Sequence, residues 1–152
     1  MKQLHLLCIG KCKDKQIIHL ENEYLKRINF PSLKIHELKS SDHCDKNDVI
    51  IIEKYSTLSH QTKSILVLLD ERGNHYNSQH FSNWLTTTLE NNIDHLYFAI
   101  GGAEGHGEQL KKLSNHMISL SNLTFPHSFA RLFFIEQIYR AQTIHMGHPY
   151  HK

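Results

Sequence analysis

Short apolar runs alternate with segments of helical periodicity along the whole chain, and this alternation constrains the fold more than any other feature of the sequence. The clearest run spans residues 64–70, where five consecutive aliphatic side chains are typical of a strand covered on both faces of a sheet. Similar runs predict four further strands, at residues 4–9, 33–38, 95–100 and 117–121.

Helical periodicity fills the intervals between these runs. The first helix begins near Asp14, and its apolar positions recur three or four residues apart: Ile17, Leu20, Tyr24, Leu25 and Ile28. Further helices are predicted over residues 49–58, 108–115 and 126–145, and another starts at Ser78, which suits an N-cap. A polar loop is expected at 39–47 and a turn at 72–74.

This order of elements predicts an α/β fold with a mostly parallel sheet and helices on both faces. Neither a linker nor an internal repeat divides the sequence, so one domain is expected over residues 1–152. A hydrophobic fraction of 39% excludes a disordered tail, and no apolar run reaches the roughly 18 residues of a membrane span. The three cysteines are too few for a disulfide framework, and no secretory signal is evident. A cytoplasmic protein is therefore expected.

The net charge is +2 with the 14 histidines neutral, and it is unevenly distributed. Residues 1–106 carry a net charge of −1, whereas residues 107–152 carry +3. This asymmetry favours an anionic partner for the C-terminal third, although a solvated helix face would give the same pattern.

Ligands of open parallel sheets bind beyond the carboxyl ends of the strands, and three predicted strand ends carry unusual residues: 69–71, 101–105 and 119–125. The loop GGAEGHG after the fourth strand lets a ligand approach the backbone closely. It lacks both the Rossmann spacing and the lysine of a Walker A loop. A loop that only makes a sharp turn could have the same sequence. The position of GGAEGHG between two other unusual strand ends favours a nucleoside-like ligand instead.

The last predicted helix and the tail offer several polar groups. Glu136 and Arg140 are four residues apart and suit a surface ion pair, or Arg140 contacts an RNA phosphate or a substrate base. The three-residue spacing of His145, His148 and His151 suggests a metal site. Glycine and proline interrupt any helix that would align these rings, so no metal site is predicted. A tail rich in His and Tyr suits proton transfer or base stacking instead.

Several ordered segments closely resemble the RlmH family, the pseudouridine N3-methyltransferases of ribosomal large-subunit RNA in the SPOUT superfamily. They are IGGAEG, SLSNLTFPH, ARLFFIEQIYRAQTI and the terminal HPYHK, and IGK at residues 9–11 agrees. The resemblance is densest over residues 64–152 and loose over residues 12–60. It implies an α/β fold with a C-terminal trefoil knot, which no residue pattern predicts.

The resemblance also implies S-adenosyl-L-methionine as methyl donor without a metal, and a cytoplasmic homodimer with no membrane or DNA partner. Its substrate would be 23S rRNA in the assembled ribosome, where shape and protein contacts compensate for the low net charge. Donor binding then falls, residue by residue, on the three strand ends: Leu69, Gly101, Leu120, Ser121, Asn122, Leu123, Thr124 and Phe125.

The same resemblance implies that the tail supplies substrate-facing groups to the partner subunit's donor pocket. Tyr150 or His151 is expected near the target base, and Arg140 is expected on a phosphate or a carbonyl. His148 is a weaker candidate, and the sequence does not decide which group accepts the proton.

Three positions depart from the family pattern. Ala103 and His106 replace the proline and leucine of the usual GGPEGL loop, and Lys152 ends the chain where some relatives have Arg or Glu. The loss of proline makes the loop less preorganised, which would weaken donor affinity modestly. Two alternatives remain open: a SPOUT enzyme acting on another RNA such as tRNA, and a non-catalytic protein that binds ribosomes or metal.

Overall fold

The computed structural model describes residues 1–152 as ten alternating strands and helices. The strands are β1 Gln3–Ile9, β2 Leu33–Leu38, β3 Ser64–His75, β4 His95–Ile100 and β5 His116–Ser119. The helices are α1 Lys15–Leu25, α2 Cys44–Leu58, α3 Ser78–Glu90, α4 Glu108–Leu113 and α5 His127–His145. No helix is both long enough and apolar enough to cross a membrane.

All strand pairs are parallel, in the order β2-β1-β4-β3-β5, which confirms the predicted α/β class. Alternate residues of the buried strands enter two separate cores. On β4, Phe98 joins the core that contains α3 and α5, whereas Tyr97 joins the core that contains α2 and α4. Helices therefore cover both faces, as the continuous apolar runs predicted.

Several predicted boundaries are wrong. Helix α2 begins at Cys44, inside the segment expected as a loop, and α1 ends at Leu25. The cap of α3 is Asn77 rather than Ser78, because the Asn77 side chain accepts a hydrogen bond from the His80 N–H at 2.8 Å. The Ser78 hydroxyl instead donates to Gln137 at 2.9 Å, so this serine fixes α3 to α5.

The turn predicted at residues 72–74 is replaced by a bulge in β3. Leu69 and Asn74 both pair with Ile118 of β5. Residues 70–73, which lie between them, are therefore not paired with β5. Gly73 is required here, because a Cβ atom on it would lie 2.6 Å from the backbone of Met117 and Ile118. Residues 70–72 of the bulge lie at the carboxyl edge of the sheet.

A row of imidazoles crosses three neighbouring strands of the sheet, β2, β1 and β4. His5 on β1 is 5% exposed, and its two ring nitrogens lie 3.0 Å from His36 and 2.9 Å from His95. Its ring also stacks on Tyr97, with a centroid separation of 4.2 Å. Burial, together with these two histidines, lowers the pKa of His5 from 6.5 to about 3. His5 is therefore held neutral inside the fold.

Candidate functional site

A cavity of about 720 Å³ lies at the carboxyl ends of β3, β4 and β5 and is closed on one side by the start of α5. Seven of the eight residues expected to bind the methyl donor line it: Leu69, Gly101, Leu120, Ser121, Leu123, Thr124 and Phe125. Asn122 is the exception and does not line the cavity. The structure thus brings together three strand ends that lie far apart in the sequence.

The glycine loop of residues 101–107 forms one wall of this cavity. Gly102 and Gly105 pair across the loop, and Gly105 adopts a φ of +76°, a conformation that other residues rarely adopt. A Cβ atom on Gly101 would lie 2.8 Å from the Gly105 carbonyl oxygen. The loop therefore closes tightly on itself, and its backbone borders the ligand space.

Asp48 is a structural support of this loop that the sequence did not reveal. It lies on α2, is 1% exposed, and accepts hydrogen bonds from the backbone N–H groups of Gly107 at 3.0 Å and Leu110 at 3.1 Å. The N-cap residue Gly107 has no side chain of its own, so Asp48 acts as the cap of α4. No sequence signal points to it, because it lies 59 positions before Gly107.

His106 connects the loop to β3. It is 4% exposed, and its Nε2–H donates to the Leu69 carbonyl oxygen at 3.2 Å. Burial lowers the pKa of the ring, partly offset by the bond to Leu69 and the charges of Asp70 and Asp48. The ring is therefore held neutral and links two of the strand ends that border the cavity.

The segment after β5 forms the opposite wall. The Ser119 hydroxyl donates to the Ser121 carbonyl at 3.0 Å, and the Leu123 N–H donates to the Ser121 hydroxyl at 3.0 Å. The Thr124 hydroxyl donates to Glu71 of the β3 bulge at 3.2 Å. The serine hydroxyls thus satisfy backbone groups of a segment that has no regular structure, and Thr124 ties that segment to the bulge.

The three residues expected to act on the substrate lie together at the other end of α5. Arg140 donates to Glu136 through Nε at 3.0 Å and Nη2 at 2.7 Å, and Tyr150 donates its hydroxyl to the same carboxylate at 2.9 Å. His151 Nδ1 lies 3.0 Å from Arg140 Nη1. The ion pair predicted between Glu136 and Arg140 is confirmed, although it is largely shielded from solvent rather than on an open surface.

This cluster does not contact the cavity of its own chain. Helix α5 meets the cavity at His127 and Ala130, and Arg140 lies ten residues further on, which corresponds to about 15 Å along a helix. The predicted donor residues and the predicted catalytic residues therefore occupy two separate places on one protomer.

A buried ionic network lies between these two places. Arg131 on α5 donates to Glu21 of α1 at 2.6 and 3.0 Å, and to Glu37 of β2 at 2.7 Å. Glu37 also accepts the backbone N–H of Cys12 at 3.0 Å. Burial raises the pKa of Glu21, and the bonds from Arg131 partly offset this. The network fixes the first half of α5 against the first helix and the β1–α1 loop.

No group of three or more His, Cys, Asp or Glu side chains is arranged to hold a metal ion. The three tail histidines, His145, His148 and His151, are thus not gathered around one point. Cys8 is buried in β1, and burial raises the pKa of its thiol to about 12. It therefore remains a packed, protonated thiol.

The fold is similar to that of a solved methyltransferase structure. A crystal structure of the SpoU methyltransferase AviRb from Streptomyces viridochromogenes, in complex with AdoMet, aligns with a TM-score of 0.51 at 10% identity. The alignment covers 93% of this chain and 58% of that longer one.

The sequence comparisons agree and are more specific. The family model described as predicted SPOUT methyltransferase matches residues 1–151, so the chain belongs to this family. Ribosomal RNA large subunit methyltransferase H of Christiangramia forsetii is 38% identical, covering 97% of this chain and 98% of that protein. The protein of the same name from Prochlorococcus marinus (strain NATL1A) is 40% identical, covering 97% of this chain and 94% of that protein. The resemblance drawn from the motifs is confirmed.

Proposed function

We propose that this protein transfers a methyl group from S-adenosyl-L-methionine to N3 of a pseudouridine in the 23S rRNA of assembled ribosomes. One observation carries the proposal: the glycine loop and the SLSNLTF segment, which the family motifs singled out, line a single cavity. The names of the relatives at 38% and 40% identity support ribosomal RNA as the substrate.

The cavity fits the proposed donor in size and chemistry. Its volume lies within the roughly 300–1,000 Å³ typical of small-molecule sites. Leu69, Leu120 and Phe125 offer apolar surface for an adenine ring, and the glycine loop offers backbone groups. Glu71 and Glu104 also line the cavity and favour a ligand with cationic sulfonium and ammonium groups. The bound donor supplies an already activated methyl group, so the chain's own task is to hold and orient the reactants.

A homodimer would complete the site. Phe129 and Phe133 on α5 are 43% and 42% exposed, and the Phe133 ring lies 5.1 Å from that of Phe125, which lines the cavity. This is an unusual amount of exposed apolar surface. Phe129, Phe133, Glu136 and Arg140 follow one face of the helix by their spacing. In a twofold dimer with antiparallel α5 helices, the cavity of one subunit would meet the tail cluster of the other.

The proposal is tested by incubating the protein with labelled S-adenosyl-L-methionine and whole ribosomes that either contain or lack the pseudouridine. We expect methylation only of the pseudouridylated ribosomes, and N3 as the position found by mass spectrometry of the nucleoside. A short protein-free rRNA hairpin should be a poor substrate, since the net charge of +2 gives little attraction for naked RNA. Methylation of tRNA in place of ribosomes would reject the proposed substrate.

A further inference from the structure

The contact between Arg140 and His151 fixes which ring nitrogen of His151 carries the proton. Arg140 Nη1 lies 3.0 Å from His151 Nδ1. A guanidinium has only donors, so Nδ1 must be the acceptor and carries no proton while this bond is made. A neutral imidazole has one N–H group, which must then be at Nε2. His151 therefore offers an N–H donor, and not a free lone pair, at Nε2.

The guanidinium that sets this tautomer is itself fixed by α5. Two of its nitrogens bind Glu136 Oε1 at 3.0 and 2.7 Å, and its carbon lies 4.8 Å from the centroid of the Tyr150 ring. Glu136 also binds Gln137 through its second oxygen at 3.0 Å. Arg140 thus keeps its remaining Nη1–H directed at His151.

The other groups of the cluster are already engaged as well. Tyr150 donates its hydroxyl to Glu136 at 2.9 Å, and burial, Tyr24 and Glu136 together raise the pKa of Tyr150. Glu136 Oε1 accepts from both Arg140 and Tyr150. Neither Tyr150 nor Glu136 is therefore free to take a proton from a substrate.

We propose that His151 acts as an Nε2–H donor to a carbonyl oxygen of the target base and does not act as the general base. This inference rests on the proposed function. N3 of pseudouridine lies between two carbonyl groups, and loss of its proton moves negative charge onto their oxygens. A fixed N–H donor at one of these oxygens stabilises that charge. The N3 proton passes to water, the N3–methyl bond forms, and the sulfur–methyl bond breaks with its electron pair retained on sulfur.

The tautomer is measured directly by NMR on the protein labelled with ¹⁵N-histidine, independently of activity. Long-range ¹H–¹⁵N correlations distinguish an Nε2–H ring from an Nδ1–H ring, and the His151→Gln variant assigns the signals. We expect the Nε2–H pattern near neutral pH. An Nδ1–H pattern would overturn the proposal.

Two substitutions separate a donor from a base on pseudouridylated ribosomes. His151→Gln keeps an N–H group near the position of Nε2, so we expect a rate within about tenfold of the wild type. His151→Ala removes the donor, and we expect a loss of about 100-fold or more in kcat. The matched control is His145→Gln, at the exposed end of α5, which should leave the rate unchanged. Equal losses for His151→Gln and His151→Ala would assign the ring as the base.

The two levels of the proposal fail in different ways. If the wild-type protein leaves ribosomes unmethylated, the proposed function fails, and with it the base carbonyl as hydrogen-bond acceptor. If the wild type is active but His151 is an Nδ1–H ring, only the role of His151 is wrong.

Discussion

At the scale of single residues, Asp48 joins a helix on one face of the sheet to the loop that borders the cavity. Replacing it by Ala leaves the N–H groups of Gly107 and Leu110 without their acceptor. We expect the Asp48→Ala variant to lose about 2–4 kcal/mol of unfolding free energy, because two buried donors lose a charged acceptor. Urea unfolding measures the loss.

The matched control for Asp48→Ala is Glu53→Ala, an exposed acidic residue on the same helix. It should change the stability by less than about 0.5 kcal/mol. Calorimetry with S-adenosyl-L-methionine should show weaker binding by the Asp48 variant at a temperature where it remains folded. Unchanged affinity would mean that the cap of α4 does not shape the donor cavity.

The buried His5 predicts a dependence of stability on pH. The folded-state pKa of about 3 lies below the ordinary 6.5, so the unfolded chain takes up the proton first as the pH falls. The stability that comes from neutral His5 is fully present above pH 6.5 and is lost as the pH falls toward 3. By pH 5 this group alone should cost about 2 kcal/mol of unfolding free energy.

Comparison of the wild type with His5→Phe, which retains a ring against Tyr97, isolates this effect from the other histidines. We expect the difference in unfolding free energy between pH 7.5 and pH 5 to be smaller in the variant by about 2 kcal/mol. His60→Phe, at an exposed position, is the control and should keep the wild-type dependence. An identical pH dependence for His5→Phe and the wild type would show that His5 is not held neutral.

At the scale of elements, the Arg131 network connects α1, β2 and α5. Replacing Arg131 by Leu leaves Glu21 buried without its partner, and we expect a loss of about 3–5 kcal/mol. The double variant Arg131→Leu with Glu21→Leu removes both charges and should recover most of this loss. Thermal and urea unfolding of the wild type, the two single variants Arg131→Leu and Glu21→Leu, and the double variant measures the coupling.

The exposed pair Glu23–Lys26 on α1 is the control for that cycle, because a surface ion pair contributes little. We expect Glu23→Ala to cost less than about 1 kcal/mol. If the double variant is as unstable as Arg131→Leu alone, the unpaired carboxylate of Glu21 does not cause the loss of stability in Arg131→Leu.

The elements were largely predictable, because continuous apolar runs mark doubly covered strands and these runs have clear ends. The errors arose where tertiary contacts override local signals. Gly73 suggested a turn, yet pairing of Leu69 and Asn74 with Ile118 keeps the chain in the sheet. The cavity was predictable from strand ends and motifs, whereas Asp48 was not, since its role depends on contacts 59 and 62 positions away.

At the scale of the whole molecule, the separation of cavity and tail predicts complementation between subunits. A His151→Ala protein keeps its cavity, and a Gly101→Val protein keeps its tail, since a side chain at Gly101 collides with the glycine loop. We expect each to be inactive alone, and a refolded equal mixture to recover about a quarter of the wild-type rate. Half of the dimers in this mixture would contain one subunit of each variant. Each such dimer would have one intact site, formed by the cavity of the His151→Ala subunit and the tail of the Gly101→Val subunit.

Light scattering should establish that both variants and the mixture are dimers before rates are compared. Recovery of activity only in mixtures that exchange subunits supports a site shared between protomers. If the mixture stays inactive although mixed dimers form, the tail acts on the cavity of its own chain.

The bulge in β3 also bears on how this scaffold can change. Both of its ends pair with Ile118, so the register of β3 against β5 does not depend on how many residues lie between them. Insertions at residues 70–72 would therefore extend one border of the ligand space without shifting the sheet. Doubling the length of such a segment costs only about 0.6 kcal/mol in closure entropy. Natural selection or protein engineering can therefore change the entrance of the cavity at this segment while the sheet and its helices stay the same.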